Sequence, residues 1–378
     1  MKIAILSPWT VKPTSVGGTE RFVIDLAESF ANADNEVDVY MLSGETHTKN
    51  KVKFISIDLF GEKKEIDEYF LKNEFNQFND EQSFENLAKR IEKKISFNNY
   101  DLIHLNSQLF LKVAENNKRI FTIHTNPFEY KLDWGDTSFD TMLELMKEEK
   151  NNTNTNFVTP SKHYANIYNE LTDIKINFIP HAIDINRLST NKDKITIYEE
   201  MNIDKNKKII LLPSRLEPIQ KQPILFMKAF ARQSDEIKSK YKVICTGADK
   251  QYEQFKQEIL DFCNDNNIDI LIKKFDQMAD GYKVADVVIL PSRSESFGYS
   301  ALEALSLGIV TVLNEIPTYM EIAEGAKNCY TFENTEEALY EVLNNILDKN
   351  LDRKEQSNDW KDKYSINLFY RKYLELES

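Results

Sequence analysis

Short apolar runs and stretches of helical periodicity take turns along the whole chain, and that alternation limits the fold more than any other feature. Lys2-Ile3-Ala4-Ile5-Leu6 opens the series and leads through a loop to Gly17-Gly18. Thr19 then starts a helical pattern over Glu20–Phe30, with Phe22, Ile24, Leu26, Ala27 and Phe30 on its apolar side. Further strands are expected at Val37–Leu42, Leu102–Leu105, Ile120–His124 and Asn156–Thr159. The second half repeats the scheme, with strands at Lys208–Pro213, Lys242–Thr246, Ile268–Lys273, Val287–Leu290 and Val310–Leu313. Its helices are expected at Pro223–Ala231, Gln251–Cys263 and Tyr299–Leu307. Strands alternating with helices in this way imply βαβ units and parallel sheets. The fold class is therefore α/β, in two doubly wound domains, which also suits 378 residues at ~150–200 per domain. The boundary falls near His181–Arg187 and gives domains 1–182 and 183–357, with 358–378 as an extra helical element.

Composition removes several classes of function. The net charge of −13 divides into −7 up to Ala182 and −6 beyond it, so neither half carries the basic footprint of a nucleic-acid binder. The three cysteines (Cys245, Cys263, Cys329) are scattered and form no CxxC, which argues against a disulfide framework or a zinc site and fits a reducing cytosol. No run approaches the ~18 apolar residues of a membrane span, and the apolar start is too short for a signal peptide. A cytoplasmic protein is expected. Two segments fit the alternation poorly: Phe60–Gln82 is acidic and Phe-rich, and Met142–Asn156 runs from a helix-forming stretch into an Asn/Thr tract. Both are expected as excursions from the first sheet.

With only ten glycines in the chain, each marks a place where the backbone itself could matter. Gly17-Gly18 lies between the first strand and the first helix, where unpaired N–H groups can receive an anion. The pair lacks the G-x-G-x-x-G spacing of a nicotinamide site. A stronger constellation is Pro291-Ser-Arg-Ser-Glu295-Ser-Phe297-Gly298-Tyr299-Ser300-Ala-Leu-Glu303, which runs from a strand end into a helix. Open α/β sheets bind ligands at that edge. Gly298 begins the helix, and Glu303, one turn inside, can accept two hydrogen bonds from a ribose diol. Arg215 and Lys221 follow an earlier strand of the same domain and suit a pyrophosphate, Arg by its fork and Lys as a point charge.

Together these motifs resemble the retaining glycosyltransferases of family 4, over nearly the whole chain. The resemblance rests on the early Gly-Gly, the strand around His104, the Thr-Ile-His end at His124, Val158-Thr-Pro-Ser161, and Ile179-Pro-His-Ala-Ile183-Asp184. It is most specific at Glu295-x-Phe-Gly…Glu303, two glutamates eight residues apart. It implies a GT-B fold: two Rossmann-like domains facing a central cleft, the first for the acceptor, the second for a nucleotide sugar, with the last helix crossing back to the first. It implies that Arg215 and Lys221 neutralise the leaving diphosphate, Glu303 holds the ribose and Glu295 bonds the transferred sugar. Backbone N–H groups at Phe297, Gly298, Tyr299 and Ser300, and at Gly17 and Gly18, would cradle phosphate. A lone histidine at a strand end reads as structural on its own, but the resemblance places His124 against the transferred sugar. Ser214 and Gln222 stand where the family often has Gly, and His181-Ala182 where it often has Asn-Gly.

The expected activity is transfer of a sugar, UDP-linked in our reading, to a hydroxyl acceptor with retention, in polysaccharide, cell-wall or glycoconjugate synthesis. No cofactor is expected, the nucleotide sugar being substrate. No Asp-x-Asp occurs in the chain, so the metal-holding pair of other transferases is missing and cations with helix N–H groups would stabilise the leaving group directly. Alternatives are a nucleotide-sugar epimerase of the same fold and a non-catalytic partner subunit. Membrane docking through Lys89, Arg90, Lys93 and Lys94 on an expected helix Phe84–Ile95 is disfavoured by Glu85, Glu92 and the domain's negative charge.

Overall fold

A computed structural model describes residues 1–12, 17–61, 68–247 and 252–377. The chain divides into two compact units, 1–182 together with 363–378, and 183–362.

Unit 1 is built on eight strands: β1 (Lys2–Ser7), β2 (Glu36–Met41), β3 (His47–Lys49), β4 (Val52–Ser56), β5 (Leu102–Leu105), β6 (Arg119–Thr122), β7 (Thr155–Thr159) and β8 (Ile176–Phe178). They lie in the order β3-β4-β2-β1-β5-β6-β7-β8, and every pairing is parallel except β3 with β4. Ile3 to Ser7 of β1 are buried, as a strand covered by helices on both faces requires. Unit 2 holds β9 (Lys208–Leu212), β10 (Tyr241–Cys245), β11 (Ile270–Ile272), β12 (Val287–Leu290), β13 (Val310–Asn314) and β14 (Cys329–Phe332). Its all-parallel order is β11-β10-β9-β12-β13-β14. Numbered within the unit this is 3-2-1-4-5-6, the doubly wound dinucleotide order, with its switch point between β9 and β12.

Several expectations need correction. The hairpin β3–β4 was not expected; it turns at Asn50 and Lys51, both at positive φ (+48° and +67°), which matches a two-residue hairpin turn. The edge strands β8 and β14 were also not expected. The described residues of Phe60–Gln82 and Met142–Asn156 lie off the sheet, apart from Thr155 and Asn156 of β7, but several are packed into the core. Leu71, Phe75 and Phe78 from the first, and Met142, Leu143, Leu145 and Met146 from the helix Asp136–Glu148, all join the core under the sheet. Residues 62–67 of the first segment lie outside the described residues, as does Gln251, the expected start of the helix that is seen over Glu253–Asp265.

The C-terminal helix is two helices, Asn358–Lys363 and Ile366–Leu374, parted at Ser365. Their anchors belong to different units. Trp360 donates its indole N–H to Ile322 O at 3.0 Å in unit 2. In unit 1, Phe369 and Tyr373 set their rings 5.9 and 6.4 Å from Phe22. The basic helix is Glu81–Glu92, which leaves Lys93 and Lys94 beyond its end. Arg90 is tied to Glu74 at 3.0 Å and lies over the Phe60 ring, while Lys89 pairs with Glu85 at 2.6 Å.

Candidate active site

In unit 2 the central neighbours β9 and β12 each feed a loop at their carboxyl ends, on the two sides of the switch point. The β9 loop is folded by its own carboxylate: Glu217 accepts the backbone N–H groups of Ile219 at 3.1 Å, Gln220, and Lys221 at 3.1 Å. Arg215 stands exposed at its start. Gln222, which ends it, takes φ +46° and ψ +45° as N-cap of the helix Pro223–Ala231. Glycine adopts that left-handed conformation more readily than a residue with a side chain. The two loops are stitched together by Arg293 N–H donating to Gln220 O at 2.7 Å and the Gln220 amide donating to Ser294 O at 3.3 Å.

This stitching brings together residues 74 apart in sequence: Lys221 Nζ donates to Glu295 Oε1 at 2.7 Å, with both side chains less than a fifth exposed. Tyr319, from the helix Pro317–Ala323, donates its hydroxyl to the same oxygen at 3.0 Å. Burial, and then the Glu295 charge, raise the Tyr319 phenol well above its ordinary pKa, so it remains a proton donor. Phe297 is buried, and Gly298 takes φ +110° as N-cap of the helix Tyr299–Ser306. Ser300 ties that helix to the end of β9 by donating to Pro213 O at 3.0 Å. Glu303 is 3 % exposed and accepts the Tyr282 hydroxyl at 2.6 Å, a bond that offsets part of the cost of burying a carboxylate. Gly308, at φ +69°, follows the helix.

In unit 1, Gly17 is the N-cap of the helix Gly18–Asn32. The Glu20 carboxylate folds back over it, so closely that a β-carbon at Gly17 would lie 2.2 Å from Glu20 Oε2. An acidic group at a helix N-terminus is favoured by the unpaired N–H groups there. One turn on, Phe22 carries the ring cluster of the site: His124 at 4.7 Å, His181 at 4.5 Å and His104 at 5.7 Å between centroids. His124, two residues past β6, bonds through Nε2 to Asn106 Oδ1. His104 lies within β5, buried, with Nε2 2.9 Å from Thr122 Oγ1. Burial pushes the His104 and His124 imidazoles down to about 3 and carries His181 well below its ordinary value. All three are therefore neutral near pH 7, so His124 can act as a hydrogen-bonding group and not as a cation.

Thus unit 2 gathers Lys221, Glu295, Phe297, Gly298, Tyr299, Ser300 and Glu303 around one switch point with Arg215 at its rim. Unit 1 places Gly17 and Gly18 one helical turn from the ring that touches His124. Among the described residues no group of three His, Cys, Asp or Glu side chains is placed to hold a metal ion. Sequence reasoning passed over Glu20, Asn106, Glu217, Tyr282 and Tyr319. Tyr282 and Tyr319 lie in the short helices Met278–Val284 and Pro317–Ala323, neither of which carries a motif of its own.

Residues 16–187 match Glycosyltransferase Family 4, and residues 193–363 match Glycosyl transferases group 1. The chain is 25 % identical over 363 residues to an uncharacterised glycosyltransferase of Methanocaldococcus jannaschii, covering 87 % of this chain and 84 % of that one. Sucrose-phosphate synthase from Thermosynechococcus elongatus superposes with a TM-score of 0.76 at 15 % identity, over 100 % of this chain and 98 % of that one. Anabaena HepE, solved in complex with UDP-glucose, does so with a TM-score of 0.69 at 16 % identity, over 99 % and 98 %.

The chain is a GT-B glycosyltransferase.

In this glycosyltransferase the two matches divide the candidate residues as the units do. Gly17, Gly18 and His124 fall within the first match, and Arg215, Lys221, Glu295 and Glu303 within the second. Between the ends of the two matches lies a stretch of only a few residues, next to the unit boundary at Ala182–Ile183. No helix among the described residues is long and apolar enough to cross a membrane.

Proposed function

We propose that this glycosyltransferase moves a sugar from a nucleotide diphosphate donor, UDP-linked, to a hydroxyl acceptor with retention of configuration and without a metal ion. The observation that carries the reading is the Lys221–Glu295 contact of 2.7 Å, because it sets a cation and a carboxylate side by side at the switch point of a doubly wound sheet, beside a helix N-terminus. Lys221 and Arg215 neutralise the diphosphate as it leaves, aided by N–H groups from Phe297 to Ser300. Glu303, held by Tyr282, takes the ribose diol, and Glu295 bonds the transferred sugar. Gly17 and Gly18 supply further N–H groups to phosphate, and neutral His124 bonds the sugar from unit 1. The departing phosphate helps deprotonate the acceptor hydroxyl on the same face of the sugar.

The UDP reading is supported by HepE, whose structure is described with UDP-glucose. The acceptor belongs to polysaccharide, cell-wall or glycoconjugate synthesis in this reading. Peripheral membrane docking is not favoured: Arg90 and Lys89 are engaged with Glu74 and Glu85.

The test is a thermal-shift panel of UDP-glucose, UDP-galactose, UDP-N-acetylglucosamine, GDP-mannose and ADP-glucose. Hydrolysis of the strongest binder is then followed with added manganese and with a chelator. Stabilisation by a UDP-sugar, and turnover indifferent to the chelator, is expected. Dependence on manganese would overturn the metal-free mechanism, and a trapped glycosyl–Glu295 adduct would overturn the front-face one. Conversion of donor to an isomer without acceptor would mark an epimerase.

A further inference from the structure

We propose that Tyr319 is a positioning residue that keeps the Glu295 carboxylate aimed at the transferred sugar when Lys221 turns to the diphosphate; this rests on the donor-site reading above. Two donors share Glu295 Oε1, Lys221 Nζ at 2.7 Å and the Tyr319 hydroxyl at 3.0 Å. They differ in freedom. Lys221 ends a four-carbon stem, and its charge is drawn to an arriving diphosphate. Tyr319 is uncharged, fully buried and has two side-chain torsions, so it stays where its helix puts it.

That helix is fixed at both ends. Pro317 starts it, and the Ile322 carbonyl near its end takes the Trp360 indole N–H at 3.0 Å. The Tyr319 hydroxyl also lies 3.2 Å from Ser292 Oγ. Ser292 is itself tied down, since its carbonyl accepts the Asn314 amide at 2.9 Å. The ring of Tyr319 lies against Gly298, where a β-carbon would come within 2.7 Å of it. One aromatic side chain therefore touches the glycine before the site helix, the loop serine and the catalytic carboxylate together. Without it, Glu295 Oε1 would lose its buried donor just as Lys221 lets go, and the sugar would meet a less firmly aimed acceptor of its hydrogen bond.

The experiment is a double-mutant cycle of Tyr319→Phe with Glu295→Gln, using the panel sugar that the wild type hydrolyses fastest and free UDP as a second ligand. Tyr319→Phe should lower kcat by about tenfold or more, as for a lost hydrogen bond to a charged group. It should leave the UDP dissociation constant within about twofold, because UDP lacks the sugar that Glu295 serves. In the Glu295→Gln background the same change should cost less than about twofold. Equal losses in the two backgrounds, or an unchanged kcat, would overturn the proposal while leaving the donor site in place. A wild type that neither binds UDP nor hydrolyses any sugar of the panel would overturn the donor-site reading, and this proposal with it.

Discussion

A β-carbon at Gly247 would lie 2.5 Å from the Cα of Arg215, so the loop after β9 rests directly on the backbone that leaves β10. Gly247 therefore acts on the candidate site without reaching it. The contact is with backbone, which cannot rotate away as a side chain would.

Gly247→Ala is accordingly expected to displace Arg215. Overpacking of this kind costs ~1–3 kcal/mol of stability, read by urea unfolding. UDP affinity should fall with it, by about tenfold, as calorimetry would show. An alanine variant with wild-type affinity would mean that Arg215 does not face the diphosphate.

Gly298→Ala meets two obstacles at once. Its φ of +110° is closed to residues with a side chain, and the Tyr319 ring stands 2.7 Å from the added carbon. Strained backbone alone costs ~1–3 kcal/mol, and the collision adds to it. We expect a clear fall in the urea midpoint together with loss of turnover.

Glu303→Ala and Lys221→Ala should separate binding from transfer. Removing the ribose carboxylate is expected to raise the donor KM by about tenfold or more, at ~1.4 kcal/mol per decade. Removing the cation that meets the leaving diphosphate is expected to lower kcat by about a hundredfold, with a smaller change in KM. Steady-state kinetics on both variants checks the assignment, and wild-type constants in either would sink it.

The histidine cluster predicts how stability depends on pH. Below about pH 6.5 an unfolded histidine takes up a proton. Folded His104 and His124 resist this until about pH 3. The unfolded chain thus binds more protons across that window. Stability is full above pH 6.5 and is lost as the pH falls toward 3, by at most ~1.4 kcal/mol per pH unit for each buried histidine. His181→Asn removes one titrating ring from the cluster, and urea unfolding between pH 6.5 and pH 5 should then fall less steeply than in the wild type. Equal slopes would show that His181 is protonated in the folded state.

The central strands and the site loops were legible because burial on both faces leaves an apolar record. β1 and β12 are continuous runs, and the glutamate pair that follows β12 is carried on one loop and one helix. The edges left no such record. β3 reads His47-Thr-Lys, polar enough to pass for loop, because an edge strand has one neighbour to satisfy, and β4, next to it, reads Val52-Lys-Phe-Ile-Ser with Lys53 exposed and its last two residues only partly buried. Asp136–Glu148 was obscured by the Asn/Thr tract behind it, although its own Phe139, Met142 and Met146 repeat at helical spacing. Tyr319 was illegible for a different reason. Its hydroxyl matters only through Glu295, 24 residues away, and nothing local distinguishes a phenol bound to a carboxylate from one packed in a core.

The closing helix Ile366–Leu374 has a consequence for the order in which a ribosome delivers this protein. Ser29 accepts the Tyr370 N–H at 3.2 Å and donates to Ile366 O at 3.0 Å, while Phe369 and Tyr373 cover Phe22. Domains generally fold as they emerge, the N-terminal one first. Here the unit that begins first is finished last: all of 183–362 must leave the tunnel before the residues that complete the packing around Phe22 exist. Through that interval the first helix waits with an aromatic face uncovered, and a stalled or truncated chain would expose it to chaperones and proteases.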